Sequence, residues 1–277
     1  MANLLIHSMS EFSDTILKAL EIAGADRIAE IGAEFGGMSQ MLADFTQARD
    51  GALYSIDPAP KAEFLDWAAD NGHVNHIAKP SLSAFDDLSD IDAWVVDGDH
   101  NWFTVYHELK AIDAACARDG KPFLAVMHDV AWPCAFRDMY YAPDAIPDDY
   151  RHDYSMDGGV LLDDPGIHPD RGFRGMGQFG IALHEGGPKN GVKCALLDFI
   201  DEKEAAEGAD FSLGYAEVPA VFGLGILFDM NAPWGNDMAE MLLPLHDNKL
   251  IASLERNRLA NYLTVLDWQD GFIERAA

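Results

Sequence analysis

Between Asp26 and Asp129 the chain repeats one pattern: a short apolar run, a turn, then apolar positions at helical spacing. Arg27-Ile28-Ala29-Glu30-Ile31 reads as a buried strand, and Met38 to Phe45 as the helix after it. Ala52 to Asp57 reads as a second strand, stopped by Pro58 and Pro60, with a helix over Lys61 to Asn71. A weaker strand follows at His73 to Ala78, then strong ones at Ala93 to Asp97 and Phe123 to His128, with a helix over Trp102 to Arg118 between them. Repeated β-α-β units of this kind force a parallel sheet covered by helices on both faces. Ligands of such sheets sit beyond the carboxyl ends of the strands, which singles out Gly32, Asp57, Asp97 and Asp129.

Outside this core, Ser10 to Ala23 is expected as a helix capped by Ser10. Val130 to Gly187 is rich in Pro, Gly, Asp, Tyr and Arg with little periodicity, as a lid or substrate insertion over 130–187 would be. A helix is expected at Asn190 to Glu207 and an antiparallel strand pair at Phe211 to Glu217 and Ala220 to Asp229. A C-terminal helix is expected over 237–268, with Leu250, Ile251, Leu254, Leu259, Tyr262, Leu263 and Leu266 as its apolar stripe. That stripe serves either packing on the domain or a homodimer contact.

Charge narrows the partners. There are 19 basic against 47 acidic residues, a formal net charge of −28. Such a surface repels phosphate backbones and anionic lipid, so neither nucleic acid nor membrane is the expected partner, and a small molecule is. Cys116, Cys134 and Cys194 are odd in number and lack CxxC spacing, which argues against a disulfide framework and a zinc site. Met1 to Asp14 carries acids and no long apolar run, so neither leader peptide nor membrane helix is expected, and the location expected is the cytoplasm.

Four strand-end segments carry the chemistry. Glu30-Ile31-Gly32-Ala33-Glu34-Phe35-Gly36-Gly37 is a glycine turn in which Glu34 replaces the second glycine of a dinucleotide fingerprint. A carboxylate there opposes a diphosphate and suits a ligand without phosphates, such as S-adenosylmethionine with its cationic sulfur. Asp57 can accept hydrogen bonds from ribose hydroxyls. Asp97-Gly98-Asp99-His100 and His128-Asp129 bring acids and histidines to one rim. These can bind a divalent cation, with Asp97, Asp99 and Asp129 as candidate ligands, or hold the cofactor's amino group and a general base. Asp99 or Asp129 can equally serve as a helix cap. Trp132 to Tyr141 places aromatics next to His128-Asp129, where they either hold the sulfonium by cation–π contact or pack the lid.

At these residues the chain resembles class I S-adenosylmethionine-dependent methyltransferases, in the small-molecule branch carrying DGDH and HD motifs. The resemblance covers residues 10–130 well and the remainder loosely. It implies a single Rossmann-like domain over 1–277, with a mainly parallel seven-stranded sheet and an antiparallel last strand. It implies further that Glu30, Gly32 and Gly36 line the methionine and ribose side, Asp57 holds the ribose, Ser81 or Phe85 lies near the adenine, and Asp97 approaches the methionine or a metal. Related enzymes bind magnesium with one acid after the fourth strand and an Asp-Asp or Asp-Asn pair after the fifth. His128-Asp129 departs from that pair and marks His128, with His100 and Asp129, as a candidate acid–base group. The activity implied is methyl transfer to an oxygen or nitrogen of a small molecule. Cyclisation or cleavage of the cofactor, metal-dependent hydroxylation or hydrolysis, and a non-enzymatic binding role remain the competing readings.

Overall fold

The computed structural model describes residues 7–271; the first six residues of Met1 to Asp14, where no leader peptide is expected, lie outside them. The core strands are β1 (Arg27–Ile31), β2 (Ala52–Ile56), β3 (Val74–Ile77), β4 (Ala93–Val96) and β5 (Leu124–His128). The lid carries β6 (Met139–Tyr140), β7 (Tyr154–Ser155), β8 (Gly158–Leu161), β9 (Asp164–Pro169), β10 (Phe173–Arg174) and β11 (Gly180–Ala182), and the sheet ends with β12 (Leu213–Val218) and β13 (Leu224–Asp229). The helices are α1 (Ser13–Ala23), α2 (Gly37–Gln47), α3 (Ala62–Ala69), α4 (Trp102–Asp119), α5 (Val192–Glu207), α6 (Gly235–Leu242) and α7 (Lys249–Gln269).

One seven-stranded sheet organises the molecule, in the order β3-β2-β1-β4-β5-β13-β12. β1 pairs in parallel with β2 and β4, β4 with β5, and β2 with β3. β13 runs antiparallel to both β5 and β12. Strand order reverses at β1, so the ends of β1, β2, β4 and β5 share one rim, where the expected ligand residues stand. β1, β4 and β5 are buried almost throughout, as two-sided burial requires of runs such as Ala-Trp-Val-Val.

Two apolar layers flank the sheet. One packs Met9, Phe12, Ile16 and Leu20 with Leu42 and Phe45 against Ile28, Leu53 and Val95. The other joins Trp94, Val96 and Met127 to Leu109 and Ile112 of α4 and to Leu196 and Phe199 of α5.

Three expectations need correction. The first helix begins as a 3-10 turn at Met9–Phe12 capped by Ser8, not Ser10, and α1 starts at Ser13. The expected C-terminal helix is two helices, because α6 ends at Leu242, Pro244 follows, and Asn248 caps α7 by accepting from Leu250 and Ile251 N–H. Its stripe also splits: Leu259 and Leu263 are buried, whereas Leu250 and Leu254 are exposed. The lid is less irregular than its composition suggests. Two three-stranded sheets, β10-β8-β9 and β6-β11-β7, are formed by strands too short to show a period.

Candidate active site at the strand ends

The glycine turn after β1 is held by both its neighbours. Gly32 has φ +89°, and a Cβ there would lie 2.2 Å from the Asp97 carbonyl oxygen, so only glycine lets β1 and the β4 loop approach this closely. Asp57 accepts from Ala33 and Glu34 N–H through Oδ2 (3.0 and 3.1 Å) and from Ala59 N–H through Oδ1. Its first task is therefore to shape the turn, although each carboxylate oxygen retains acceptor capacity toward a ligand. Glu34 takes φ +46° and is exposed, projecting from the turn at the place where a diphosphate would need glycine. Gly36 caps α2.

Glu30 stands one layer deeper than expected. It is buried, and its Oε2 accepts from the hydroxyls of Ser39 (2.7 Å) and Ser55 (2.6 Å), tying β1 to α2 and β2. Burial pushes its carboxyl up to about 7 against the pull of the two serines. Ser81 opens a short 3-10 turn and is half-buried. Phe85 is buried and stacks on Trp94 at 5.1 Å, which places it in the core.

Beyond β4 and β5, one oxygen or nitrogen atom each from Asp97, His100 and Asp129 lies within 4.8 Å of the other two, an arrangement able to hold a metal ion. His100 Nε2 is 3.0 Å from Asp129 Oδ2 and 3.5 Å from Asp97 Oδ1. Asp129 is buried at φ +61°, so the backbone turns sharply to present its carboxylate. His100 and His128 hold that carboxyl well below the usual carboxylate range, despite burial.

Asp99, expected as a metal ligand, does not converge with these groups. Its carboxylate accepts from Asn101 Nδ2, Thr104 Oγ1 and His100 N–H, and Asn101 Oδ1 in turn caps α4 at Thr104 N–H. Asp99 thus shapes the loop while His100 takes the place at the rim.

His128 is set differently from a free base. Its Nε2 lies 2.8 Å from the Val221 carbonyl and so carries the hydrogen, while Nδ1 lies 3.3 Å from both Asp97 Oδ1 and Asp129 Oδ2. The two carboxylates outweigh burial and raise its pKa to about 10, so the ring holds a proton and braces both acids. Val221 and Phe222 adopt φ +45° and +64° in the β12–β13 turn that presents this carbonyl.

Two features of the 130–187 segment escaped the sequence reading, and a third concerns the aromatic segment it named. Met139 N–H donates to His100 O, pinning β6 to the DGDH loop. Tyr141 then meets His100 edge-on at 5.6 Å and Phe179 at 5.7 Å, so Tyr141 from the aromatic segment reaches the rim, whereas Cys134 and Tyr140 are buried. Asp138 Oδ1 accepts from Trp102 N–H at the start of α4 (2.7 Å) and from Gly191 N–H before α5 (2.6 Å), and Oδ2 accepts from Tyr140. The cap expected here of Asp99 or Asp129 is supplied to α4 by Asn101, and the Asp138 clamp spans a distance no local pattern encodes.

Residues 29–130 match the family described as "Methyltransferase domain", from within β1 to the residue after Asp129. This stretch, 102 of the chain's 277 residues, resembles a methyltransferase domain. The match spans the glycine turn, Asp57, the DGDH loop and the HD pair. The sheet built around it places the antiparallel strand beside β5. Among solved structures, the O-methyltransferase from Bacillus cereus in complex with SAH is 14% identical, with TM-score 0.47, covering 82% of this chain and 85% of that one. The SAH-bound methyltransferase PaMTH1 of Podospora anserina is 14% identical, with TM-score 0.46 and coverage of 80% and 79%. A putative O-methyltransferase from Klebsiella pneumoniae is 15% identical, with TM-score 0.43 and coverage of 83% of each chain. No curated protein matches the chain.

The donor chemistry fits a dication. His100 Nε2 is buried and makes no hydrogen bond of acceptable geometry, although Asp129 Oδ2 lies 3.0 Å away. Asp97, His100 and Asp129 are the residues that would hold the ion. No helix among the described residues is long and apolar enough to cross a membrane.

Proposed function

We propose that the enzyme transfers the S-adenosylmethionine methyl group to an oxygen or nitrogen of a small molecule bound between the methyltransferase core and the 130–187 lid. One observation carries this reading: the cofactor turn and the Asp97–His100–Asp129 cluster share a rim, and the lid is hydrogen-bonded to that rim through Met139 and His100. The acceptor's place is then beside the sulfonium rather than at a remote groove. The open cavity of about 640 Å³ lined by Arg151, His152, Tyr154 and Leu183 is on the lid and includes none of these rim residues.

Methyl transfer is an in-line displacement, so the protein's contribution is alignment and exclusion of water. Gly32 and Gly36 admit the methionine part, Asp57 receives the ribose, and Ser81 borders the adenine. Tyr141 covers the reacting centre, and its ring face favours a cationic sulfur. A dication at Asp97, His100 and Asp129 would supply polarisation of an acceptor hydroxyl. His128, its proton held between two carboxylates, keeps both acids in place. The chain's net charge of −28 disfavours a nucleic-acid acceptor, and its expected location is the cytoplasm.

Isothermal calorimetry with S-adenosylhomocysteine tests the cofactor site, with binding expected for the wild type and lost in Asp57→Ala. Mass spectrometry of the enzyme with S-adenosylmethionine, with and without a panel of small hydroxylated and amino compounds, tests the reaction. Methylated product with cofactor stable in its absence supports the reading. Cofactor cyclised or cleaved without any acceptor refutes it.

A further inference from the structure

The donor set at the rim says which class of cation it takes. Resting on the methyltransferase reading above, we propose that Asp97, His100 and Asp129 form a mixed oxygen–nitrogen site for a first-row transition-metal dication, with His100 Nε2 as a direct ligand.

Three observations carry it. Ligands about 2.1 Å from a metal and at right angles to each other stand about 3 Å apart. His100 Nε2 to Asp129 Oδ2 is 3.0 Å and to Asp97 Oδ1 is 3.5 Å, so the imidazole stands near ligand spacing from both carboxylates, and all three donor atoms lie within 4.8 Å of one another. Second, His100 Nε2 is buried and its direction fails as a hydrogen bond to the oxygen beside it. Donors that are close yet not aimed at each other are what convergence on a third point requires. Third, the backbone that carries the imidazole is fixed. The His100 main-chain N–H donates to Asp99 Oδ1, Asp99 accepts from Asn101 and Thr104, and Met139 N–H ties down the His100 carbonyl. The Tyr141 ring, edge-on at 5.6 Å, stands beside the imidazole itself.

Imidazole suits iron, nickel, copper or zinc better than magnesium, which prefers an all-oxygen shell and keeps its waters. The imidazole comes from His100 of the DGDH loop, and the HD pair contributes one acid, Asp129, to the group. His128 stands beside both carboxylates but is held by Val221 O and is outside the three-donor group.

Electron spin-echo envelope modulation of the full-length protein loaded with Mn²⁺ reads the ligand directly. Expected are nitrogen modulation in the wild type and its loss in His100→Asp. Calorimetry with CoCl₂ and MgCl₂ should show the affinity ratio shifting at least tenfold toward Mg²⁺ in His100→Asp, and Asp97→Asn should weaken Mn²⁺ at least tenfold. Wild-type protein that takes up no Mn²⁺, or binds it without nitrogen modulation, overturns the proposal. So does modulation undiminished in a His100→Asp variant that keeps the wild-type melting curve. If His100→Asp does not fold, the wild-type spectrum alone decides. Titration with S-adenosylhomocysteine on the same samples separates the two readings: intact cofactor binding with a nitrogen-free metal sinks only this proposal.

Discussion

Gly32 shows how one missing methyl group sets the site. Its positive φ and the 2.2 Å approach to Asp97 O are separate penalties for any side chain. An alanine at a positive-φ position costs on the order of 1 kcal/mol or more from backbone strain alone, and the clash is with backbone, which cannot rotate away. Gly32→Ala is therefore expected to lower the thermal midpoint and to abolish S-adenosylhomocysteine binding in the fraction that folds. Wild-type affinity with a wild-type melting curve would contradict the close approach. The strand-end acids were legible at this scale because strand ends can be read from apolar runs, and ligand residues follow them. What each carboxylate does was not legible. Asp99 and Asp97 are two residues apart, yet one turns inward to three donors in its own loop and the other meets two histidines. Similarly, His128 reads as a base until β13 and its preceding turn bring the Val221 carbonyl to its Nε2 from 93 residues away.

Two buried acids govern how the helices meet the rim. Asp138 accepts from backbone N–H groups at the starts of both α4 and α5, where the helix dipoles favour a negative charge. Removing a capping carboxylate costs about 1 kcal/mol for each helix, and stranding buried donors adds about 1–3 kcal/mol. Asp138→Ala should thus destabilise the fold by roughly 2–5 kcal/mol in urea unfolding, summing these contributions. It should also raise protease cleavage within 130–187; a loss under 1 kcal/mol would refute the clamp. Glu108 on α4 works in the opposite sense. Buried, with neither oxygen accepting a hydrogen bond of normal geometry, it is pushed by burial up to about 8, against the pull of the Ser81 hydroxyl. A carboxyl whose folded pKa lies above its unfolded value of 4.5 adds stability that is whole below about 4.5 and is lost as pH rises through about 8. The span corresponds to on the order of 3–5 kcal/mol. Glu108→Gln should flatten the stability profile between pH 5 and 8.5 and be the more stable protein at the upper end. Equal slopes would show that Glu108 is ionised in the fold. The elements themselves were largely readable, since β1 to β5 and α2 to α5 follow clear periods. The lid strands and the α6–α7 break were not, because two-residue strands carry no period and Pro244 sits inside a continuous apolar stripe.

Across the whole molecule, acidity acts on stability as well as on partner choice. Forty-seven acidic against 19 basic residues leave the chain with a large excess of carboxylates over cations. Some cations are spent pinning the C-terminal helix to the lid: Arg171 pairs with Asp267 through two contacts of 2.8 and 2.9 Å, and Arg174 with Asp270 through two of 2.8 Å. Salt acts on both populations. It weakens the exposed pairs, each worth only about 0–1 kcal/mol, and it screens the repulsion among the excess carboxylates, whose range is about 30 Å at 0.01 M and about 3 Å at 1 M ionic strength. Repulsion summed over a net charge of −28 is spread through the compact state, whereas the pairs are few and local. The repulsive contribution therefore dominates the response. The thermal midpoint should rise as NaCl goes from 10 mM to 0.5 M, and should rise more in Arg171→Ala/Arg174→Ala protein, which lacks the pairs that salt weakens and carries two fewer positive charges. A midpoint that falls with salt would mean that the arginine contacts to α7, rather than net charge, set the molecule's thermal limit.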